Sequence, residues 1–532
     1  MRGKIHSVKT DTAGSSIVIT IKTWGMIQKQ LRWLLLAAAV PGLHLAQAQL
    51  KKNERPNIVF ILADDMGYGD VSVYNPDSKI STPNMDRVAA EGMRFTDAHS
   101  PAALCSPTRY GFLTGRYCWK TRLKKFVLVG YDETPLIEKG QPTIGSVLQQ
   151  KGYTTACIGK WHVGLNWPTR NGYVMQNDHD DWTDTNTVNK ENERNIDFTK
   201  PVSGGPNDLG FNYGFITAGC STSDPPYCYI ENGKSVGIPD HPSPKEYYGL
   251  PGFAPGLMAP GFSIKNVDSV FTVKAIDFIA EQTTKVKKEP FFLYLALSSP
   301  HNPFIPPEFA AGKSKEGPRG DLVTVADWSV GQINAALEKY GLTKNTILII
   351  TSDNGAVRGA NGHRSEWNFN GYKADALEGG HRVPFIIRWP GRIQAGAVNP
   401  ELISHTDMFA TFAALTGAAV PAGAAEDSYN VLPSFFGKPV PGNDTVVRIF
   451  HGGNGIFVIR KGNWKLISGT KSSAPLPNTG KLLQDQLYDL SADPYEKNNL
   501  RVQYPEKVQV LNGLLDEYIA GKRNALKTKP AP

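Results

Sequence analysis

Residues 57–63, Asn57-Ile58-Val59-Phe60-Ile61-Leu62-Ala63, form an unbroken apolar run that stops at two acids, Asp64 and Asp65. A strand covered on one face alternates apolar and polar residues, whereas an unbroken run needs apolar cover on both faces, the condition of a parallel sheet held between helical layers. The pattern recurs at 346–352 before Asp353-Asn354, at 154–159 before Lys160, at 291–297 before His301, and at 384–389. Helical periodicity falls between these runs, at 141–151, 266–281 and 323–340. The alternation predicts an α/β fold: a large, mainly parallel sheet sandwiched by helices, binding its ligand beyond the carboxyl ends of the strands.

Beyond a helix near 405–417 the pattern loosens at 417–423 and 433–443, then gives short strands at 446–451, 455–460 and 463–468 and a terminal helix at 505–521. This predicts a smaller C-terminal α+β domain built on a short antiparallel sheet, with the large domain at 54–420 and the C-terminal subdomain at 421–532. The stretch 164–265, rich in Gly, Pro, Asn and Asp, reads as a long excursion that walls a pocket.

Residues 26–48 carry a charged start, the apolar run 33–40 and Ala46-Gln47-Ala48, the layout of a secretory signal, so a secreted or periplasmic location is expected. Residues 1–25 then read as an over-long start or a scar. Residues 1–48 hold six Lys/Arg against one acid, so without them the net charge falls from +8 to about +3. That balance gives no support for a nucleic-acid partner, and no later apolar run is long enough to span a membrane. Five cysteines leave at least one unpaired in an exported chain, and Cys220 with Cys228 forms either a disulfide or two buried thiols.

In Cys105-Ser106-Pro107-Thr108-Arg109, Ser106 can cap a helix whose first position suits Pro107. Cys105 then lies at a helix N-terminus, where backbone N–H groups favour an anion, with Arg109 about one turn on. Asp64, Asp65, Asp353 and Asn354 offer hard oxygen donors from two strand ends, a set that suits calcium better than zinc and that magnesium shares. Asp70 reads as a turn residue. Lys160 and His162, two apart beyond a strand, can share one face.

The segment 105–116 resembles the signature of the type I sulfatases, in which the Cys of Cys-x-Pro-x-Arg is oxidised to formylglycine, with Thr108 standing where Ser or Ala is commoner. Asn57 to Asp70, Gly159-Lys160-Trp161-His162, Ser298-Ser299-Pro300-His301, Gly371-Tyr372-Lys373 and the run 486–500 are similar, in order, to further family elements. The resemblance is strongest to the arylsulfatase A and N-acetylgalactosamine-6-sulfatase branch. It implies an alkaline phosphatase-like fold, Ca²⁺ held by Asp64, Asp65, Asp353, Asn354 and the modified Cys105, and a formylglycine-generating maturase as partner. It also implies roles in sulfate-ester hydrolysis for Arg109, Lys160, His162, His301 and Lys373. The expected substrate is a sulfated small molecule or glycan, attacked from the chain end, with a 6-O-sulfated hexosamine or galactose in view. Arg358, His363, Arg364, His381 and His451 are candidates for the sugar subsite. Two other readings stay open: a phosphatase or phosphodiesterase of the same superfamily, and a glycan-binding pseudoenzyme in which Cys105 stays unmodified.

Overall fold

Five parallel strands make the centre of the molecule: β1 (Asn57–Ala63), β2 (Thr154–Lys160), β3 (Tyr213–Thr217), β4 (Phe291–Ala296) and β5 (Thr346–Ser352), in the spatial order β5-β1-β4-β2-β3. This is a computed structural model, and it describes residues 55–131, 134–172, 192–469, 471 and 484–524. The expected signal at 26–48 lies outside the described residues. Beyond β5 the sheet continues through β6 (Phe385–Arg388), antiparallel to β5, then Met93–Phe95 and Ala397–Asn399. Beyond β3 it continues through Tyr229–Glu231 and Lys234–Val236.

Every residue of β1, β4 and β5 is buried, as their unbroken apolar runs require. Alternate side chains serve the two faces. Val59, Ile61, Leu293 and Ile350 pack on one side with Phe271, Phe278, Val330 and Ile333 of two long helices, α2 (Val267–Thr284) and α3 (Pro318–Lys339). Phe60, between them in sequence, points the other way. It stacks on Phe112 of α1 (Cys105–Thr114) at 4.2 Å and meets Phe412 of α4 (Met408–Thr416) at 6.5 Å.

The C-terminal part forms a four-stranded antiparallel sheet, β7 (Val447–His451), β8 (Phe457–Lys461), β9 (Trp464–Ser468) and β10 (Gln486–Asp489). Leu511, Leu515 and Tyr518 of α5 (Pro505–Ile519) cover it against Ile449, Ile459, Leu466 and Leu487. The fourth strand was not anticipated, because four residues without alternation give no periodic signal. Residues from Arg55 onward form one compact unit. Among the described residues, no helix is long and apolar enough to cross a membrane.

One correction concerns 164–265, which contributes β3 and the two strands beyond it to the main sheet. Gly214 breaks the apolar run that would have announced β3, yet Phe215 and Ile216 are buried and pair in register beside Ile158 and Gly159.

Gly159 sets how β2 delivers the next residue, Lys160. Its φ is +113°, and a Cβ there would lie 1.8 Å from the carbonyl oxygen of Ala296 on the adjacent strand. Gly159→Ala is therefore expected to destabilise the fold by roughly 2–4 kcal/mol, read as a shift in the urea unfolding midpoint.

Candidate active site

The chemistry-bearing residues converge at the carboxyl ends of the parallel strands, where an open α/β sheet leaves its crevice. β1 leads into Asp64 and Asp65, β2 ends at Lys160 with His162 just beyond, and β5 leads into Asp353 and Asn354, while His301 follows β4. Neighbouring residues of a strand face apart, so Asp64 and Asp65 meet one site because the chain turns there, with Asp65 at φ +65°. The loop holding His301 is fixed from α2, whose buried Asp268 accepts from the amides of Ser298 and Ser299 at 2.7 and 2.8 Å.

Cys105 is the first residue of α1, and Leu104 occupies the cap position. The expected cap by Ser106 is not made; its hydroxyl accepts from the Leu128 amide at 3.1 Å, so the helix begins earlier than that reading placed it. Arg109 does lie one turn on. Thr108 is buried and donates to the Ala102 carbonyl at 2.9 Å, which accommodates Thr at the position where Ser or Ala is commoner.

The charged groups interlock. Lys160 Nζ donates to Asp64 Oδ2 at 2.6 Å, Lys373 Nζ to Asp65 Oδ2 at 2.7 Å, and Arg109 Nη2 to Asp353 Oδ2 at 2.7 Å. Asn354 Nδ2 donates to Asp65 Oδ1 at 2.7 Å, and the Asp65 amide to Asp353 Oδ1 at 3.1 Å. Burial pushes Asp64 upward, but Lys160 and then His301 outweigh it and hold the carboxyl below its usual value. Burial and the Asp64 carboxylate hold Asp353 well above its own. A hydrogen bond from Cys220 holds the Cys105 thiol well below its ordinary value despite burial, with Lys160 and Lys373 adding to it. Burial, and then Lys373, lower His301.

Three carboxylates thus meet three cations, leaving no surplus positive charge for an incoming anion. The donor set fits a divalent ion. Asp64 Oδ1 and Asn354 Oδ1 are buried oxygens without a hydrogen-bond partner among the described residues, and both are acceptors only. Such oxygens, beside further carboxylates, suit a hard cation.

Cys105, Lys373 and His301 open into a cavity of about 730 Å³. The excursion at 164–265 supplies one wall through Cys220, Asp224 and Phe253, as expected, while Asn302, Asp375 and Asn454 supply polar groups. The sequence did not single out these polar residues; the glycines around Asn454 in Gly452-Gly453-Asn454-Gly455 were the available sign of a tight turn beside a ligand. Cys220 faces the site and Cys228 lies beside Ser235, and every cysteine is a free buried thiol, so the disulfide alternative is set aside.

The five sugar-subsite candidates do not line this cavity. His363 Nε2 is bonded at 2.8 Å to the buried Asp70, which also takes two bonds from Arg319. His381 is buried between His99, at 2.9 Å, and Lys465, at 3.1 Å. His451 is buried against Phe457, and burial lowers its pKa to about 4. Arg358 is exposed over the Tyr372 ring, and exposed Arg364 bonds Asn368. Histidine and arginine near a recognisable motif carry no mark separating a structural partner from a ligand contact.

The Asp70 cluster yields a stability prediction. Arg319→Ala strands Asp70 and Glu316 as buried charges, an expected loss of about 3–5 kcal/mol at neutral pH. Arg319 holds Asp70 below its usual value against burial, so this stabilisation is present above the ordinary carboxylate pKa and fades as pH falls through the folded-state value. Chemical denaturation at neutral and acidic pH would show the gap between parent and variant narrowing.

The comparisons agree with this geometry. Residues 56–418 match the sulfatase family model. The chain is 33% identical over 513 residues to an N-acetylgalactosamine-6-O-sulfatase of Bacteroides thetaiotaomicron, covering 88% of this chain and 93% of that one. It is 32% identical to human arylsulfatase A, covering 88% and 86%. A solved structure from the metabolism of multiple glycosaminoglycans by Bacteroides thetaiotaomicron superposes with a TM-score of 0.75 at 32% identity, over 88% of this chain and 99% of that one. The chain belongs to the sulfatase family. It is a sulfuric ester hydrolase, and the phosphatase reading falls away.

Proposed function

We propose that this chain is an exported, exo-acting carbohydrate sulfatase that removes a 6-O-sulfate from a hexosamine or galactose at a glycan end. Its nucleophile is the formylglycine made from Cys105 by a maturase. The observation that carries this reading is the first turn of α1: a buried Cys105 opening into a cavity, with Arg109, Lys160 and Lys373 around it. The charged and apolar segment 26–48 supports export, and the relative named as an N-acetylgalactosamine-6-O-sulfatase supports the 6-O position.

The residues divide the work a stable sulfate ester demands. Lys160 and Lys373 bind sulfate oxygens, and Arg109 orients the nucleophile from one turn along α1. His162 donates through Nε2 to the Leu128 carbonyl at 2.6 Å, leaving Nδ1 as the basic nitrogen to take a proton. His301 donates through Nδ1 to the Asn302 carbonyl at 2.6 Å, leaving Nε2 to protonate the departing alkoxide; the bound anion favours its charged form. Formylglycine would supply a geminal diol, one oxygen to attack sulfur and the other to expel sulfate. Asp64, Asp65, Asp353 and Asn354 would hold calcium, or magnesium, which would add the positive charge the residues alone do not leave free.

The test is sulfate release by matured protein from defined sugars. The 6-O-sulfated N-acetylgalactosamine or galactose should exceed the 4-O isomer by at least about 100-fold in kcat/KM, and a terminal sulfated sugar should exceed an internal one. Preference for the 4-O ester, or equal rates on internal and terminal sulfate, overturns the assignment.

A further inference from the structure

None of residues 486–500 lines the cavity, yet Glu496, a few residues past β10, reaches the segment that carries Lys373. Glu496 is buried and holds a left-handed φ of +55°, a backbone region uncommon outside Gly, Asn and Asp. Its carbonyl accepts from Asn370 Nδ2 at 3.1 Å, and its Oε2 accepts from the amide of Glu378 at 2.6 Å. Asn370 and Glu378 stand at the two ends of one loop, which the Gly379 amide closes on the Asn370 carbonyl at 2.7 Å. The closure is tight, since a Cβ on Gly379 would lie 2.3 Å from the Gly371 carbonyl oxygen. Lys465 of β9 is fully buried and pairs with Glu496 Oε1 at 2.7 Å and with Glu378 Oε1 at 2.9 Å, so one ammonium holds both carboxylates. Arg382 takes the other Glu378 oxygen at 2.6 Å.

The tip of that loop is held as well. The Lys373 amide donates to the Ala356 carbonyl at 2.8 Å, the Ala374 amide donates to the Ala103 carbonyl at 2.9 Å, and the Ala374 carbonyl accepts from the Gly453 amide at 2.8 Å. Ala103 lies two residues before Cys105, and Gly453 lies in the turn between β7 and β8. The loop thus runs from the C-terminal sheet at its base to the Cys105 turn at its tip, with Lys373 Nζ delivered to Asp65. We propose that Glu496 is a positioning residue for Lys373: by clamping both ends of loop 370–379, the C-terminal sheet sets where the Lys373 ammonium meets sulfate. The inference rests on the reading of Lys373 as a sulfate-binding group. A charged group displaced by about 1 Å can cost about 100-fold in rate, so a clamp remote from the cavity has kinetic weight.

The test is Glu496→Gln in the full, matured chain. The substitution keeps the side chain's size and strands no charge, because Lys465 retains Glu378. Gln offers one oxygen to two donors, the Glu378 amide and Lys465, so one of the two ties is lost. On whichever sulfated sugar the parent cleaves fastest, the variant is expected to lose about 10- to 100-fold in kcat/KM, and inorganic sulfate should inhibit it correspondingly less tightly. In a Lys373→Met background the same substitution should cost less than about 3-fold, since the group it places is gone. Should Glu496→Gln fail to fold by circular dichroism, Asn370→Ala, which cuts the other tie, is read through the same cycle with an expected loss of at least about 5-fold. Parental kinetics in the folded variant, or an equal loss with and without Lys373, overturns the inference and leaves the role of Lys373 standing. Parental kinetics in Lys373→Met itself overturns the sulfate-binding role, and this inference with it.

Discussion

Cys105→Ala is expected to lower sulfatase kcat by about four to six orders of magnitude, with the fold intact. Cys105 is buried at the first turn of α1, and its side chain is the proposed source of the attacking oxygen. The methyl group of Ala leaves no cavity or stranded charge of consequence, so melting should change little while turnover vanishes. Cys105→Ser separates nucleophilicity from release: a single hydroxyl can take up sulfate but lacks the geminal partner that expels it, so at most one turnover per site is expected. Quenched-flow sulfate release, followed by peptide mass, checks both variants. Steady turnover by the Ser variant at the parent rate would show that release needs no second hydroxyl.

Stripping divalent ions from matured protein should lower kcat/KM by on the order of 10³-fold or more, with recovery on adding Ca²⁺. The reasoning is electrostatic. Asp64, Asp65 and Asp353 consume the charge of Lys160, Lys373 and Arg109, so the anionic ester meets a site with no net attraction until an ion is added. Added positive charge would also favour the ionised form of Asp353, whose pKa is held well above its ordinary value by burial and then by the Asp64 carboxylate. Binding to the folded state alone should raise the melting temperature with Ca²⁺ concentration. Asp353→Asn should blunt both effects. Calorimetry with and without Ca²⁺, set beside activity, checks this; full turnover in ion-free protein would refute it.

The parallel core was legible because burial on both faces writes itself as unbroken apolar runs: 57–63 and 346–352 are strands to the residue. β3 was lost because Gly214 interrupts a short run, and β10 because Gln486–Asp489 is too brief to show a period. At the site, Asp64, Asp353 and Lys160 were pointed to by motifs at strand ends and Cys105 by a motif at a helix start, places where local sequence and tertiary position coincide. Cys220, Asp224 and Asn454 reach the cavity from loops whose direction no spacing encodes. His363 and His381 lie away from this cavity, which the sequence hid for the converse reason. Their partners, Asp70 and Lys465, are distant in sequence, so only the fold shows that they are satisfied within the core.

The central claim meets its sharpest test in preparations ranging from wholly thiol to wholly converted at position 105. Aldehyde-specific labelling of that peptide, plotted against sulfate released per chain, should give a straight line through the origin. Undiminished turnover from the wholly thiol protein would contradict the account.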